Sequence, residues 1–232
     1  MEGLAGKAFV AIWHDVAPEG RAAYYEWHNR EHMPERLGIP GFRRGRRYLA
    51  ERGSPEYFNL YEVDTLEVLT GQDYLERLNN PTPWTKRTVG HVRNVSRSLC
   101  RVEASLGRGQ GGVMATWCLE VREGQEARLR HYLIDEALPA IFDAPGVLGA
   151  HFGTADRSGS DLMTEERKMR GMTTAIPGWI VLVEGIASAA VTAAGVQPFA
   201  PEVLASHGGV PQVTCAVYRL ETSRARTPAE AG

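Results

Sequence analysis

Residues 21–42, RAAYYEWHNREHMPERLGIPGF, read against residues 126–147, EARLRHYLIDEALPAIFDAPGV, decide the fold. Both are helical stretches that carry a proline and end in a Pro-Gly turn. Pro34 matches Pro139, and Ile39-Pro40-Gly41-Phe42 matches Ala144-Pro145-Gly146-Val147. Upstream, the apolar runs Ala8 to Trp13 and Val113 to Cys118 suit strands. Aligning Trp13 with Trp117 sets them 104 residues apart, as for the turns Pro18-Glu19-Gly20 and Arg122-Glu123-Gly124. The prolines are 105 apart, so this alignment calls for one inserted residue between. Self-similarity at a fixed period marks one structural unit used twice.

The flanking segments fall in the same order in each half. After the Pro-Gly turns come the extended segments Phe42 to Ala50 and Val147 to Ala155. In the first half, Glu56 to Val63 is strand-like, Leu66 to Leu78 has helical spacing that Asn79-Asn80-Pro81 stops, and Val95 to Ser105 suits a fourth strand. In the second half, Trp179 to Ile186 and Gln212 to Glu221 are strands around an Ala-rich helix at Ala187 to Ala194. Each half reads βαββαβ, the split βαβ unit with a four-stranded antiparallel sheet and two helices on one face. The bare sheet face must be covered, so the two modules are expected to pack sheet to sheet. The fold class is α+β, with a site-bearing module at 1–107, a scaffold module at 108–222 and a disordered tail at 223–232. The glycine-rich Gly107 to Gly112 is the linker.

A hydrophobic fraction of 43% and a charged fraction of 23% are those of a globular protein. The net charge of −2 gives no footprint for nucleic acid or an anionic membrane. Three scattered cysteines, Cys100, Cys118 and Cys215, form neither a disulfide framework nor a zinc spacing, and a cytoplasmic location is expected. There is no signal-peptide pattern, no transmembrane run, no P-loop, no strand-borne GxGxxG and no nucleophile elbow, so no nucleotide cofactor is expected.

The stretch Tyr24 to Tyr48, with its aromatic–Trp pair, a histidine just before a proline and a Pro-Gly-Phe turn, resembles the EthD-like branch of the dimeric α+β barrel superfamily. Tyr74 to Trp84 (YLERLNNPTPW) is similar to the same group. The resemblance covers most of residues 8–105 and reaches the second half only through the repeat. It implies the ferredoxin-like fold already read from the element order. It also implies a family of cofactor-free cyclases, isomerases, lyases and small oxygenases, in which the pre-proline histidine, here His32, is a pocket residue.

Tyr25, His28 and His32 share one side of the first helix at three- and four-residue spacing, with Trp27 and Glu31 turned away. Pro34 is expected to end the helix and leave His32 in its last turn, where the helix dipole favours a protonated ring. An imidazole titrating near neutrality suits general acid–base work. At the 105-residue offset, His28 becomes Leu133 and His32 becomes Ala137, so the imidazoles belong to the first copy alone. His14 and Asp15 end the first strand as a candidate pair, Asp15 orienting His14. Asn59 and Tyr61 share one strand face, and Trp84 and His91 are placed to close the pocket. Arg43, Arg44, Arg46 and Arg47 read as a solvated basic edge strand or a carboxylate cluster. His28-Asn29-Arg30-Glu31-His32 also fits the inverted zinc-peptidase pattern H-x-x-E-H, without a downstream third-ligand motif.

The leading expectation is a cofactor-independent lyase or isomerase with no metal. In it His32 moves a proton, His28 assists, Tyr61 or Asn59 binds the substrate oxygen, and Tyr25, His14, Asp15, Trp84 and His91 line the site. The substrate is a small hydrophobic, oxygenated, cyclic or aromatic molecule, and a further homodimer is left open. The alternatives are a non-catalytic ligand-binding protein, a haem- or oxygen-dependent monooxygenase, and a zinc hydrolase through His28, Glu31 and His32.

Overall fold

The computed structural model describes residues 3–170 and 176–226. Strand β1 (Ala8–Val16) leads into helix α1 (Arg21–Trp27), a wide π turn (His28–His32) and helix α2 (Met33–Leu37). Strands β2 (Phe42–Arg52) and β3 (Tyr57–Val63), helices α3 (Gln72–Asn79) and α4 (Pro83–Val89) and strand β4 (Val92–Leu106) complete the first module. The second repeats it: β5 (Val113–Leu119), α5 (Glu126–Tyr132), a π turn (Leu133–Ala137), α6 (Leu138–Phe142) and β6 (Val147–Ala155). Then come α7 (Arg157–Ser160), α8 (Glu165–Arg170), β7 (Trp179–Gly185), α9 (Ser188–Val196), α10 (Pro201–Ser206) and β8 (Thr214–Ala225).

Within each module the sheet is antiparallel, in the orders β4-β1-β3-β2 and β6-β7-β5-β8. The sheets face each other and also join at both edges, β2 to β8 and β4 to β6, closing an eight-stranded barrel. Closure removes the exposed edges that two separate sheets would leave. This is the two-module α+β barrel expected from the repeat. Strand alternation then divides each module between two apolar regions. On β1, Ala8, Val10, Ile12 and Val16 pack under the helices, whereas Phe9, Ala11 and Trp13 fill the barrel with Tyr48, Phe58 and Tyr218.

The repeat keeps one register. Phe9 pairs with Glu62 and Met114 with Glu184, all on the barrel side, and the two π turns are offset by 105 (133 − 28). The Trp13–Trp117 match is therefore one residue out. Trp13 contacts Phe58 inside the barrel, whereas Trp117 contacts Phe199 beneath the helices of the second module. A one-residue slip on a strand exchanges its faces, so no insertion separates the strand from the helix.

Pro34 does not end its helix. In the π turn the Met33 N–H reaches back to the His28 carbonyl, five residues away, and the helix continues through the proline to Leu37. The wide turn accommodates a residue that has no N–H of its own to donate. His32 is thus mid-helix, and the helix-dipole case for its protonation falls. Other boundaries differ too. Gly71 divides the Leu66 to Leu78 helix into a short 3₁₀ turn (Leu66–Leu69) and α3, and Trp84 lies in α4. Residues 223–225, expected in the tail, are strand paired with β2, while 227–232 lie outside the described residues.

Strand β2 is interior rather than an edge, and while Arg43 stays exposed and pairs with Asp64, Arg44, Arg46 and Arg47 are drawn inward. Arg46 is buried between Glu62 (2.9 Å) and Glu184 (2.8 Å), and Arg44 holds both oxygens of Glu62 at 2.8 and 2.6 Å. His151 lies 3.4 Å from Glu184. Burial pushes the Glu184 carboxyl up, but Arg46 and His151 outweigh it and hold it at about 2. Among the described residues no helix is long and apolar enough to cross a membrane.

Candidate functional site

Between the first sheet and its helices lies a buried polar cluster. His14 sits on the helix-facing side of β1, and Tyr57, Asn59 and Tyr61 alternate onto the same side of β3. From above, α1 and the π turn present Tyr24, Trp27, His28 and His32. Two small cavities remain. One is lined by His14, Tyr24, Trp27, His28, His32 and Asn59, the other by His32, Arg36, Tyr61, Tyr74, Arg97 and Glu166. Ile12 and His32 border both. For the centre of a water molecule the two offer about 20 and 10 Å³, room for roughly one water each.

The hydrogen bonds fix two tautomers. Arg47 only donates, and its Nη1 lies 3.1 Å from Nδ1 of His28. Nδ1 therefore accepts, the ring hydrogen sits on Nε2, and Nε2 donates to the Tyr61 hydroxyl oxygen at 3.2 Å. The Tyr61 proton is then directed away from His28. The Asn59 amide nitrogen likewise only donates, so Nε2 of His14, 3.1 Å away, accepts, as it does from the Tyr24 hydroxyl at 3.1 Å. Oδ1 of Asn59 is buried on the cavity wall with no hydrogen-bond partner among the described residues. Leaving such an acceptor unmet costs about 1–3 kcal/mol.

His32 stacks on Trp27 at 4.3 Å, and its Nδ1 is 3.9 Å from Glu166. Glu166 belongs to α8, in the second module, and also pairs with Arg36 at 2.7 Å. Both members of that pair are buried. Burial pulls the Arg36 guanidinium down, and Glu166, Tyr74 and Glu35 more than offset it, so its pKa rises.

The second module supplies an internal control. The offset is 105 from β1 to the end of β2, and 122 at β3, where Glu62 takes the place of Glu184. His14 becomes Leu119, Tyr24 Leu129, His28 Leu133, His32 Ala137 and Arg36 Ile141. Arg47 becomes Phe152, Asn59 Val181 and Tyr61 Val183. All eight replacements lie in the buried apolar core of the second module. The fold therefore forms without polar groups at these positions.

The predicted residues separate. His14, His28, His32, Asn59 and Tyr61 come together. Asp15 does not orient His14 with its carboxylate. Strand geometry turns that side chain to the Glu56 N–H (2.7 Å) and Asn94 (2.7 Å), and only its carbonyl faces His14 Nδ1, at 3.4 Å. Tyr25 stands at the outer rim, under Arg47 and bonded to Glu221 (2.9 Å) and Tyr57 (3.3 Å). Burial and these neighbours push its phenol well above the usual range. Trp84 packs on the helix-side core from α4, and His91 packs against Gly20; neither borders the two cavities. Glu31 is drawn to Thr82 (2.6 Å) and Thr85 (3.2 Å) on α4, not between the imidazoles, and no cluster of metal-ligating side chains occurs among the described residues. The zinc pattern has no geometry behind it. Both nitrogens of His28 are engaged, by Arg47 and by Tyr61.

Sequence reading gives Tyr24 only as one aromatic side chain near the first helix and Arg47 only as part of a basic strand, and it does not reach Arg36 or Glu166 at all. Tyr24 is four residues before His28, the spacing used to choose its neighbours. Glu166 had a different signal: β2 and β3 are joined by residues 53–56, but β6 and β7 by 156–178, an insertion with no counterpart in the first copy.

No family model and no curated protein matches the chain. Solved structures match along nearly all of it. An anthrone oxidase-like protein aligns with a TM-score of 0.63 at 12% identity, covering 94% of this chain and 92% of its own. A protein provisionally named a monooxygenase, from Lactobacillus acidophilus NCFM, aligns with a TM-score of 0.59 at 12% identity, covering 95% and 97%. One provisionally named a chlorite dismutase, TA0507, gives 0.56 at 10% identity, covering 93% and 95%. The fold is that of the dimeric α+β barrels, here in one chain.

Proposed function

We propose that this chain is a cofactor-independent acid–base enzyme acting on a small, cyclic or aromatic, oxygenated compound. The observation that carries this reading is the contrast between the modules. Eight positions that one module fills with apolar core hold three imidazoles, two phenols, two guanidinium groups and an amide in the other. Burying such groups costs stability, so a role outside folding is the economical account.

The tautomers suggest the division of labour. Arg47 holds His28, and His28 donates to Tyr61, so the Tyr61 hydroxyl donates to a substrate oxygen. His32, bordering both cavities, takes the proton from the adjacent carbon or hydroxyl. Asn59 Oδ1 accepts from a substrate hydroxyl. Charge developing on the substrate oxygen is met by a donor already in place. Lyase and isomerase reactions begin with this step. The oxidase and monooxygenase names of structurally similar proteins favour a second reading, in which the same deprotonated substrate gives its electrons to dioxygen.

Deuterium incorporation from D₂O, followed by ¹H NMR over a panel of cyclic ketones, 1,3-diketones and hydroxyarenes, each with and without a ring carboxylate, tests the shared step. Oxygen uptake on the same panel separates the two outcomes. The wild type is expected to accelerate exchange at the carbon next to the oxygen, and His32→Ala to lower it by about 10²–10⁴-fold. Binding without exchange anywhere in the panel would leave a non-catalytic receptor. Exchange unaffected by His32→Ala would remove the assigned base.

A further inference from the structure

The second module does more to the first than close the barrel. Helix α8, inside the 156–178 insertion, lies against α3, α4 and β4 and delivers Glu166 into the cavity shared by His32, Arg36, Tyr61, Tyr74 and Arg97. Glu166 is the second module's one carboxylate on that wall. It pairs with the buried Arg36 at 2.7 Å, faces His32 at 3.9 Å, and stands near two cations, since Arg36 and Arg97 each lie 5.8 Å from the Tyr74 ring centre. The rest of the wall is Ile12, Phe42 and Leu78. A guanidinium that deep is strongly disfavoured without a counter-ion, because removing one partner of a buried pair leaves the other charge uncompensated. Glu35, at 3.2 Å and nearer the surface, would be the remaining partner of Arg36. At the same time the cavities hold about one water each, so nothing larger enters while α8 is seated.

We infer that Glu166 is a built-in surrogate for a carboxylate on the substrate. A small aromatic or alicyclic carboxylate displaces it from Arg36, and α8 lifts as the ligand takes its place. This rests on the proposed site and narrows its substrate to anions with an apolar ring. The charge exchange is balanced, one carboxylate leaving Arg36 as another arrives, so the closed form excludes bulk water without leaving Arg36 uncompensated in apolar surroundings. Neutral analogues bring no replacement and would leave the latch shut.

Benzoate and its neutral isostere benzamide are the probes, titrated calorimetrically into the wild type, Glu166→Gln and the double variant Arg36→Gln/Glu166→Gln. The double variant removes both charges and so leaves no buried ion uncompensated; circular dichroism confirms its fold. Benzoate is expected to bind Glu166→Gln at least tenfold more tightly than wild type, benzamide to change less than twofold, and the double variant to lose benzoate. Hydrogen exchange at the α8 amides is expected to rise when benzoate binds wild type. Equal benzoate affinity in wild type and Glu166→Gln, an equal gain for benzamide, or retained benzoate binding in the double variant would each overturn the inference. The acid–base reading stands or falls separately. Benzoate tightening with no deuterium exchange leaves the surrogate intact and the catalyst refuted, and exchange without tightening does the reverse.

Discussion

Replacing His14, Tyr24 and Asn59 together by Leu, Phe and Val should leave the fold about as stable as it was, although each single change destabilises it. The three side chains form a closed triangle: Tyr24 to His14 at 3.1 Å, Asn59 to His14 at 3.1 Å and Asn59 to Tyr24 at 3.3 Å. A single substitution removes two of these bonds, weakens the satisfaction of the groups that remain, and is expected to cost about 1–2 kcal/mol. Simple addition then gives roughly 3–6 kcal/mol for the triple variant. Removing all three groups at once strands none of them. The three lost bonds cost roughly 3 kcal/mol, and eliminating the unmet Asn59 Oδ1 returns about 1–3 kcal/mol. The new apolar contacts, which the second module makes with Leu119 and Val181, return about 1–2 kcal/mol more. The net is near zero, and the coupling between the sites is about 3 kcal/mol or more. Urea unfolding followed by circular dichroism measures it, with unchanged m-values as the check on two-state behaviour. A triple variant destabilised by the full sum of the singles would refute the reasoning, because the triangle would then be part of what holds the module together.

Tyr61→Phe should keep the fold and lower deuterium exchange by about 10²–10³-fold, with little change in KM, since the hydroxyl is assigned to charge that develops during the reaction. The barrel interior should weaken in acid. Glu184 titrates near 4.5 when unfolded and at about 2 in the folded protein, so its stabilisation is complete above the first value and is lost as pH falls through that window. The shift corresponds to about 3 kcal/mol, and a urea midpoint unchanged between pH 5 and pH 2.5 would contradict it. Gly195→Ala should cost about 1–3 kcal/mol, read as a lower Tm, because a Cβ there would sit 2.4 Å from the Trp117 ring that fills the second module.

The fold was legible because the repeat couples local patterns to one another. A helix through a proline into a Pro-Gly turn, flanked by strands, occurs twice in the same order. The out-of-register Trp match shows where that legibility stops. Two tryptophans one strand position out of register look homologous in sequence, yet face opposite ways, and only pairing with β3 and β7 distinguishes them. The imidazoles were legible as types missing from the second copy, but their roles were not. The tautomer of His28 depends on Arg47, and only the pairing of β2 with β8 decides between a solvated edge and an inward-facing strand there. Pro34 misled for a related reason. Proline sterics do oppose an α-helix, but a π turn changes which hydrogen bonds the helix needs, and nothing in the residue types announces it. Glu166 comes from a segment more than a hundred residues away, so only the unmatched length of the 156–178 connection hinted at it.

Fusion of the two modules makes the asymmetry of this site achievable. In a barrel built from two identical subunits, any change that fills one helix–sheet cleft with leucine and valine fills the other, and any helix inserted between the second and third strands of one appears in both. A single chain is free of that constraint. Here the second module has, where the first has a polar cleft, a core that includes Leu133, Phe152 and Val181, and it carries an insertion that places Glu166 against its neighbour's Arg36. The two changes depend on each other. A second module that needed its own cleft open would have its β6–β7 connection committed at home, whereas one with an apolar core can lend it across the barrel. Deleting residues 157–176 and joining the strands with a short turn copied from residues 53–56 should therefore spare the second core, whose members among the described residues lie outside the deleted segment. The same deletion should strip Arg36 of its buried partner and destabilise the first module by about 3–5 kcal/mol, with added benzoate restoring part of the loss. Proteolysis resolves the modules separately. Faster cleavage within residues 108–222 than within residues 8–105 would contradict this division of labour.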